Sequence, residues 1–228
     1  MSTISRATKR LYAVYLVWTV ATLVLYYFTG DAQYRNLIWN MLLALIPLVL
    51  STTVLQACKN RPIISAALSI PWLLFLPNSF YVVTDLIHLG SLNFYAIDQT
   101  AQSLQYAQSL DSYLVLFTIF SASILGIIIG VASIVDFRNL LKNYKIPRPV
   151  ITTALILIFA LTGYGLYLGR FLRLNSWDVI YPHKIILAIT QNFTPFSLQI
   201  SALFALYVAI SYLCFKGIFH KKPTPKTP

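Results

Sequence analysis

One segment of the sequence gathers polar side chains that could do chemistry. Asn78, Tyr81, Thr84, Asp85 and His88 lie close together in an otherwise apolar region. On a continuous α-helix, with about 100° per residue, these side chains fall within an arc of roughly 120°. An aspartate and a histidine could act as an acid–base pair or supply two ligands to a divalent metal. We therefore predict Asp85 and His88 as candidate catalytic residues, and Asn78, Tyr81 and Thr84 as candidate substrate contacts.

A second polar cluster follows a later apolar stretch and is rich in arginine. Arg170 and Arg173 are three residues apart, so on a continuous helix they would share a face. They could then form a fork for a phosphate or carboxylate, or pair with an aspartate of another segment. The candidate partners for that pairing are Asp85, Asp111 and Asp178. The alternative interpretation is an interfacial anchor, because arginine side chains snorkel and Trp177 is typical of membrane interfaces. The further candidate substrate contacts in this cluster are Asn175, Trp177 and Asp178.

The elements that must position these clusters are membrane spans. Hydrophobic residues make up 58% of the sequence, charged residues only 10%, and the mean hydropathy is +0.72. Such a composition is typical of a polytopic membrane protein and excludes an ordinary soluble domain. Six apolar stretches are long enough to cross a hydrocarbon core of about 30 Å. We predict an all-α, six-helix bundle with spans near 11–29, 37–57, 63–83, 112–135, 150–169 and 196–216.

The basic residues predict which way the bundle faces. Thirteen of the seventeen lysines and arginines fall in connections on one side of the predicted spans. Such an excess is typical of cytoplasmic connections, so both termini should be cytoplasmic and both polar clusters should face outside. The formal net charge of +11 is therefore an orientation signal, with some attraction to anionic lipid, and it does not predict a nucleic-acid partner.

Smaller features predict how the helices pack and what connects them. Ala122, Gly126 and Gly130 on the fourth span, and Gly165 and Gly169 on the fifth, form strips that let helices approach closely. The connection from residue 90 to 111 is predicted to hold a short helix through Ala101 and Leu104, capped by Asp98, as a lid over the site. Residues 183–191 are predicted to form an external interfacial helix. Residues 1–220 are predicted as one domain, followed by a disordered cytoplasmic tail at 221–228.

Three stretches of this sequence resemble the signature segments of a bacterial membrane-protein family called domain of unknown function 1361. They are WLLFLPN at 72–78 with Tyr81, TDLIHL at 84–89, and GRFLRLNSWD at 169–178. Position 79 is Ser where the family is associated with Ala, and position 174 is Leu where an aromatic residue is common. The resemblance implies a multi-pass protein of the bacterial cytoplasmic membrane, and it implies no established activity.

Three hypotheses for function remain open. The first is an outward-facing enzyme on lipid-headgroup or lipid-linked anionic substrates, with membrane lipids as its surroundings. In that case Asp111, Asp178 or His183 could complete a metal site with Asp85 and His88, or the pair could work without metal. The second is a non-catalytic accessory protein whose polar groups lock the bundle. The third is a small-solute transporter, which is disfavoured because the ionisable residues lie at span ends. The metal, any cofactor and the oligomeric state are left open.

Overall fold

The chain folds into a bundle of long helices, as a computed structural model of residues 5–92, 94–98 and 103–219 shows. One shorter helix lies before the last long one. The helices are α1 (Arg6–Thr29), α2 (Ala32–Val49), α3 (Pro62–Tyr81), α4 (Leu110–Asn143), α5 (Arg148–Phe171), α6 (Pro182–Asn192) and α7 (Pro195–Phe215).

Three of the long helices continue beyond their regular α-helical part. Helix α2 runs into π-helical turns at Leu50–Leu55, and α3 runs into a 3-10 helix at Val82–Ser91. Helix α7 ends in a short 3-10 segment at Lys216–Phe219. Within the described residues this gives six continuous segments of 24 to 34 residues that are long and apolar enough to cross a membrane. The predicted all-α bundle of six spans is confirmed.

Side-chain caps and tight turns set where the helices begin and end. The side chains of Ser5, Asp31, Ser109 and Thr194 each accept a hydrogen bond from the first turn of the helix that follows. Gly30 ends α1 in the left-handed conformation, with φ of 66°, and its N–H donates to the carbonyl of Tyr26. Glycine adopts that conformation without steric cost, so only two residues separate α1 from α2.

The connection between α3 and α4 differs from the prediction. Residues 95–98 and 103–106 form an antiparallel hairpin, β1 (Tyr95–Asp98) and β2 (Ser103–Tyr106), in place of a helix. Tyr95 pairs with Tyr106, and their rings lie 5.4 Å apart. Polar and apolar residues alternate in β2, Ser103–Tyr106, and this period of two favours a strand over a helix. Ala101 lies outside the described residues, as does the predicted tail, and the lid role stays a prediction.

Close backbone contacts hold α3 against α4. A Cβ atom added to Gly126 would lie 2.6 Å from the carbonyl oxygen of Ser79. One added to Gly130 would lie 2.6 Å from the ring of Phe80. Ala122 is also fully buried. The predicted small-residue strip on α4 is therefore confirmed, and α3 is the helix it packs against.

Helix α5 uses its glycines on two sides. A Cβ atom on Gly165 would lie 2.6 Å from Pro77 of α3, and one on Gly163 would lie 2.5 Å from the backbone of Ser201 and Ala205 in α7. Gly169 leaves ordinary van der Waals space, since its nearest neighbour would be the Tyr81 ring at 3.6 Å. The predicted strip on α5 thus brings its C-terminal half against α3, and this approach joins the two polar clusters.

Hydroxyl groups tie α2, α3 and α4 together in the interior. Trp72 donates its indole N–H to Ser133 Oγ at 2.7 Å, and Ser133 donates in turn to the carbonyl of Pro47 at 2.9 Å. Ser79 donates to the carbonyl of Ala44 at 2.6 Å. Polar contacts of this kind fix the relative position of helices where lipid gives no hydrophobic drive for association.

Candidate functional site

Asp85 and His88 lie on the 3-10 helix that extends α3. Such a helix has about three residues per turn, so side chains three apart lie one above the other. The imidazole Nε2 of His88 is 3.9 Å from Asp85 Oδ1. The predicted arc of five polar side chains assumed an α-helix throughout, whereas the chain from Val82 to Ser91 is a 3-10 helix. Tyr81, Asp85 and His88 line one cleft, while Asn78 and Thr84 do not.

A buried ion pair forms the centre of this cleft. Arg170 Nη1 donates to Asp85 Oδ1 at 3.2 Å, and the two side chains are only 15% and 8% exposed. Asn40 of α2 donates to the other carboxylate oxygen at 2.8 Å. The predicted pairing of the third and fifth spans is confirmed, and the pair also draws in the second span. Both carboxylate oxygens of Asp85 thus have a donor, as a buried charge requires.

Two further groups surround the guanidinium of Arg170. Its Nη1 donates to the hydroxyl of Tyr81 at 3.2 Å, and its central carbon lies 5.7 Å from the Tyr81 ring centre. Its Nη2 is 3.5 Å from Nε2 of His88. The His88 side chain is 58% exposed. The arrangement therefore presents an accessible imidazole beside a buried, neutralised ion pair.

The cleft itself has a volume of about 350 Å³ and is closed on one side by α2. Gln33, Asn36, Trp39 and Asn40 contribute its α2 wall. This wall was not predicted, although the sequence contains a signal for it. Gln33, Asn36 and Asn40 follow one another at spacings of three and four, which places three amides on one face of an otherwise apolar helix.

The α2 wall also contains a buried hydrogen-bond acceptor. The side-chain oxygen Oε1 of Gln33 is buried and accepts no hydrogen bond from the described residues. A buried acceptor without a donor destabilises the fold by about 1–3 kcal/mol. A ligand carrying a hydroxyl or amine in the cleft would satisfy it.

The Arg170–Arg173 fork is not found. Helix α5 ends at Phe171, and Arg173 follows in the left-handed conformation with φ of 55°. The N–H of Leu174 then donates back to the carbonyl of Leu168. This left-handed turn at the end of α5 directs Arg173 away from the face of Arg170. Arg173 is exposed and makes no ion pair among the described residues. The prediction of a shared face was wrong because the helix stops between the two arginines.

The rest of the second cluster holds a turn against α3. Asp178 accepts from the backbone N–H of Asn175 at 2.6 Å and caps the 3-10 turn Ser176–Ile180. Ser176 accepts from Asn78 at 2.8 Å and donates to the carbonyl of Leu74 at 2.8 Å. Thr84 donates to the carbonyl of Tyr81. Asn78, Thr84, Asn175 and Asp178 thus make structural contacts, and Trp177 is 39% exposed outside the cleft.

A metal site of the predicted composition is not formed in the described ranges. No three His, Cys, Asp or Glu side chains converge there. Asp178 bonds its own turn, and His183 lies on α6 beside Tyr181, with ring centres 6.3 Å apart. Neither residue nor Asp111 lines the cleft with Asp85 and His88. What the cleft offers is acid–base chemistry at His88 and hydrogen bonding to an anion at Arg170.

The helices and the cleft define a multi-pass helical membrane protein with a polar site at one end of the bundle. The chain belongs to the family described as "Protein of unknown function (DUF1361)", which matches residues 39–212. That range holds both polar clusters, so the implied membership is confirmed. Searches of curated proteins and of solved structures found no match.

Proposed function

We propose that this protein is an integral membrane enzyme that acts on an anionic lipid headgroup or a lipid-linked substrate in the cleft. In this proposal His88 transfers the proton, and Asp85 and Arg170 position the His88 imidazole. Arg170 also binds the anionic group. The protein lies in a bacterial cytoplasmic membrane with both termini in the cytoplasm, so the cleft opens to the outside. The observation that carries the proposal is the exposed imidazole held beside a buried ion pair in an open cleft.

Stability alone is a poor explanation for the ion pair. Desolvating two charges is expensive, and replacing a buried pair by apolar residues is often neutral or stabilising. Here the pair also brings Arg170 to within 3.5 Å of an accessible histidine. A guanidinium has five N–H donors, so Arg170 can hold Asp85 and Tyr81 and still donate to a phosphate or carboxylate.

The depth of the cleft fits a headgroup substrate. The 20 residues of α3 rise about 30 Å, which matches the hydrocarbon thickness. Asp85 and His88 lie beyond that length, on a 3-10 segment that rises about 2 Å per residue. They therefore fall at the level of the lipid headgroups when α3 begins at the opposite boundary.

The test compares two exposed histidines on the same end of the bundle. Cells that lack the gene are complemented with the wild type, His88→Ala or His183→Ala, and their lipids and lipid-linked glycans are profiled by mass spectrometry. We expect His88→Ala to fail and His183→Ala to succeed, with near-equal melting temperatures for the purified variants, because both side chains are largely solvent-exposed. A His88→Ala variant that restores the profile would refute the enzyme proposal.

The alternative function is a non-catalytic accessory protein. The observation that favours it is the number of polar groups used for packing. Asn78 and Ser176 hold the α5–α6 connection against α3, and Asp178 stabilises the turn within that connection. In that case His88→Ala lowers stability and cellular function in proportion. The transporter hypothesis gains no support, because the ion pair lies near one end of its span.

A further inference from the structure

A second cleft lies at the opposite end of the bundle, between α4, α5 and α7. Its volume is about 730 Å³. Among the described residues, five basic side chains line it and no carboxylate does. They come from the end of α4, the α4–α5 connection, the start of α5 and the end of α7, and they are Arg138, Lys142, Lys145, Arg148 and Lys216.

The fold holds these cations together despite their repulsion. Lys145 takes the left-handed conformation, with φ of 56°, and its N–H donates to the carbonyl of Lys142. Arg148 begins α5 three residues later, and Lys142 lies within electrostatic range of both Arg138 and Arg148. On the α7 side, the Lys216 ammonium sits 5.6 Å from the Tyr212 ring centre. Concentrated positive charge of this kind attracts an anion.

Below the cations the cleft is apolar. Ile151, Leu155, Ile156 and Phe159 of α5 and Leu213 of α7 line it. Ile156 and Leu213 are 59% and 60% exposed, so the wall is open to a ligand. From Arg148 to Phe159 the helix rises about 16 Å, which is close to one leaflet of a 30 Å hydrocarbon core.

We infer that this cleft binds an anionic phospholipid, with its phosphate among the cations and an acyl chain along the α5 wall. A free phosphate would use the charged rim alone, whereas a lipid uses both parts of the cleft. Basic pockets between membrane helices are suited to anionic headgroups. This site is separate from the Asp85 cleft, and its ligand has a binding role with no reaction implied.

The first experiment needs no variant. The full chain in detergent is titrated with dioleoyl phosphatidylglycerol or dioleoyl phosphatidylcholine, and bound lipid is counted by native mass spectrometry. We expect phosphatidylglycerol to bind more tightly, with an affinity that falls as salt rises. Equal affinity for the two lipids would overturn the inference. Displacement of phosphatidylglycerol by excess inorganic phosphate would also overturn it, because the site would then select a soluble anion.

The second experiment compares charge-matched variants. Lys142→Gln with Arg148→Gln removes two exposed cations from the cleft, and Lys9→Gln with Arg10→Gln removes two exposed cations from α1 at the same end. Each basic side chain near an anionic surface contributes about a fivefold gain in affinity, so the cleft variant should bind phosphatidylglycerol about thirtyfold more weakly. The α1 variant should change by less than about twofold. Equal losses in the two variants would mean a general charge effect and would refute the site.

Discussion

Breaking the buried ion pair between Asp85 and Arg170 tests the site most directly. The changes are Asp85→Asn, Arg170→Gln and the two combined. Each single change leaves one charge buried without its partner, while the double variant leaves neither charge. Asn keeps the shape and polarity of Asp, whereas Gln is shorter than Arg and also loses the contacts with Tyr81 and His88. The coupling between the two changes, and not either single loss, therefore measures the charge pairing.

The expected size follows from the geometry. Two unit charges 3.2 Å apart attract by about 5 kcal/mol at an effective dielectric constant of about 20. Loss of one partner from a buried pair costs about 3–5 kcal/mol. With side chains only 8% and 15% exposed, we expect each single variant to fall in that range. The double variant should cost less than the sum by about 3 kcal/mol, because it leaves no uncompensated charge.

The assay is the free energy of unfolding in detergent, measured by chemical denaturation for all four proteins. The control cycle is Asp178→Asn with Arg173→Gln, which lies at the same end of the bundle but contains no ion pair. The control should be additive within about 0.5 kcal/mol. Additive effects at Asp85 and Arg170 as well would show that the two charges are energetically independent, and the reasoning about the site would fail.

Two further predictions concern topology and packing. Reporter fusions at residues 33, 95 and 178 should report the outside and those at 59, 143 and 222 the inside, and signals from one side at 95 and 143 would contradict the orientation. Gly126→Ala should lower the free energy of unfolding by about 1–3 kcal/mol, because its Cβ would meet the Ser79 carbonyl at 2.6 Å. A Cβ atom on Gly217 would have no described residue within 4 Å, so Gly217→Ala should be nearly neutral. Equal melting of the two variants would refute the close approach of α3 and α4.

The spans could be predicted because hydropathy is a local property that adds up along the chain. The close packing of Gly126 and Gly130 could also be predicted from a local pattern, because small residues at helical spacing in a span mark a close helix–helix contact. The change of α3 to a 3-10 helix at Val82 could not, because it depends on the contacts of that segment with its neighbours. The hairpin at Tyr95 was missed because a capping interpretation of Asp98 favoured a helix, although polar and apolar residues alternate in Ser103–Tyr106.

The candidate site was only partly predictable. Asp85, His88, Tyr81 and Arg170 come together as the polar face and the basic helix end suggested. Arg173 does not join them. The end of α5 before Arg173 could not be predicted, because the left-handed position after the helix is not a glycine. Asn40 was missed because its role as a hydrogen-bond donor depends on the Asp85 carboxylate, which the fold places 2.8 Å away.

The ion pair also has a consequence for how the protein is made. Asp85 and Arg170 are 85 residues apart in the chain, so at about 5–20 residues per second Arg170 is synthesised roughly 4–17 s after Asp85. Until then the Asp85 carboxylate lacks the guanidinium that it pairs with in the fold. Because Asp85 lies beyond the α-helical part of the span, water and Asn40 can donate hydrogen bonds to its carboxylate before Arg170 is made. Arrival of α5 then completes the cleft, so the site can form only after Arg170 has been synthesised.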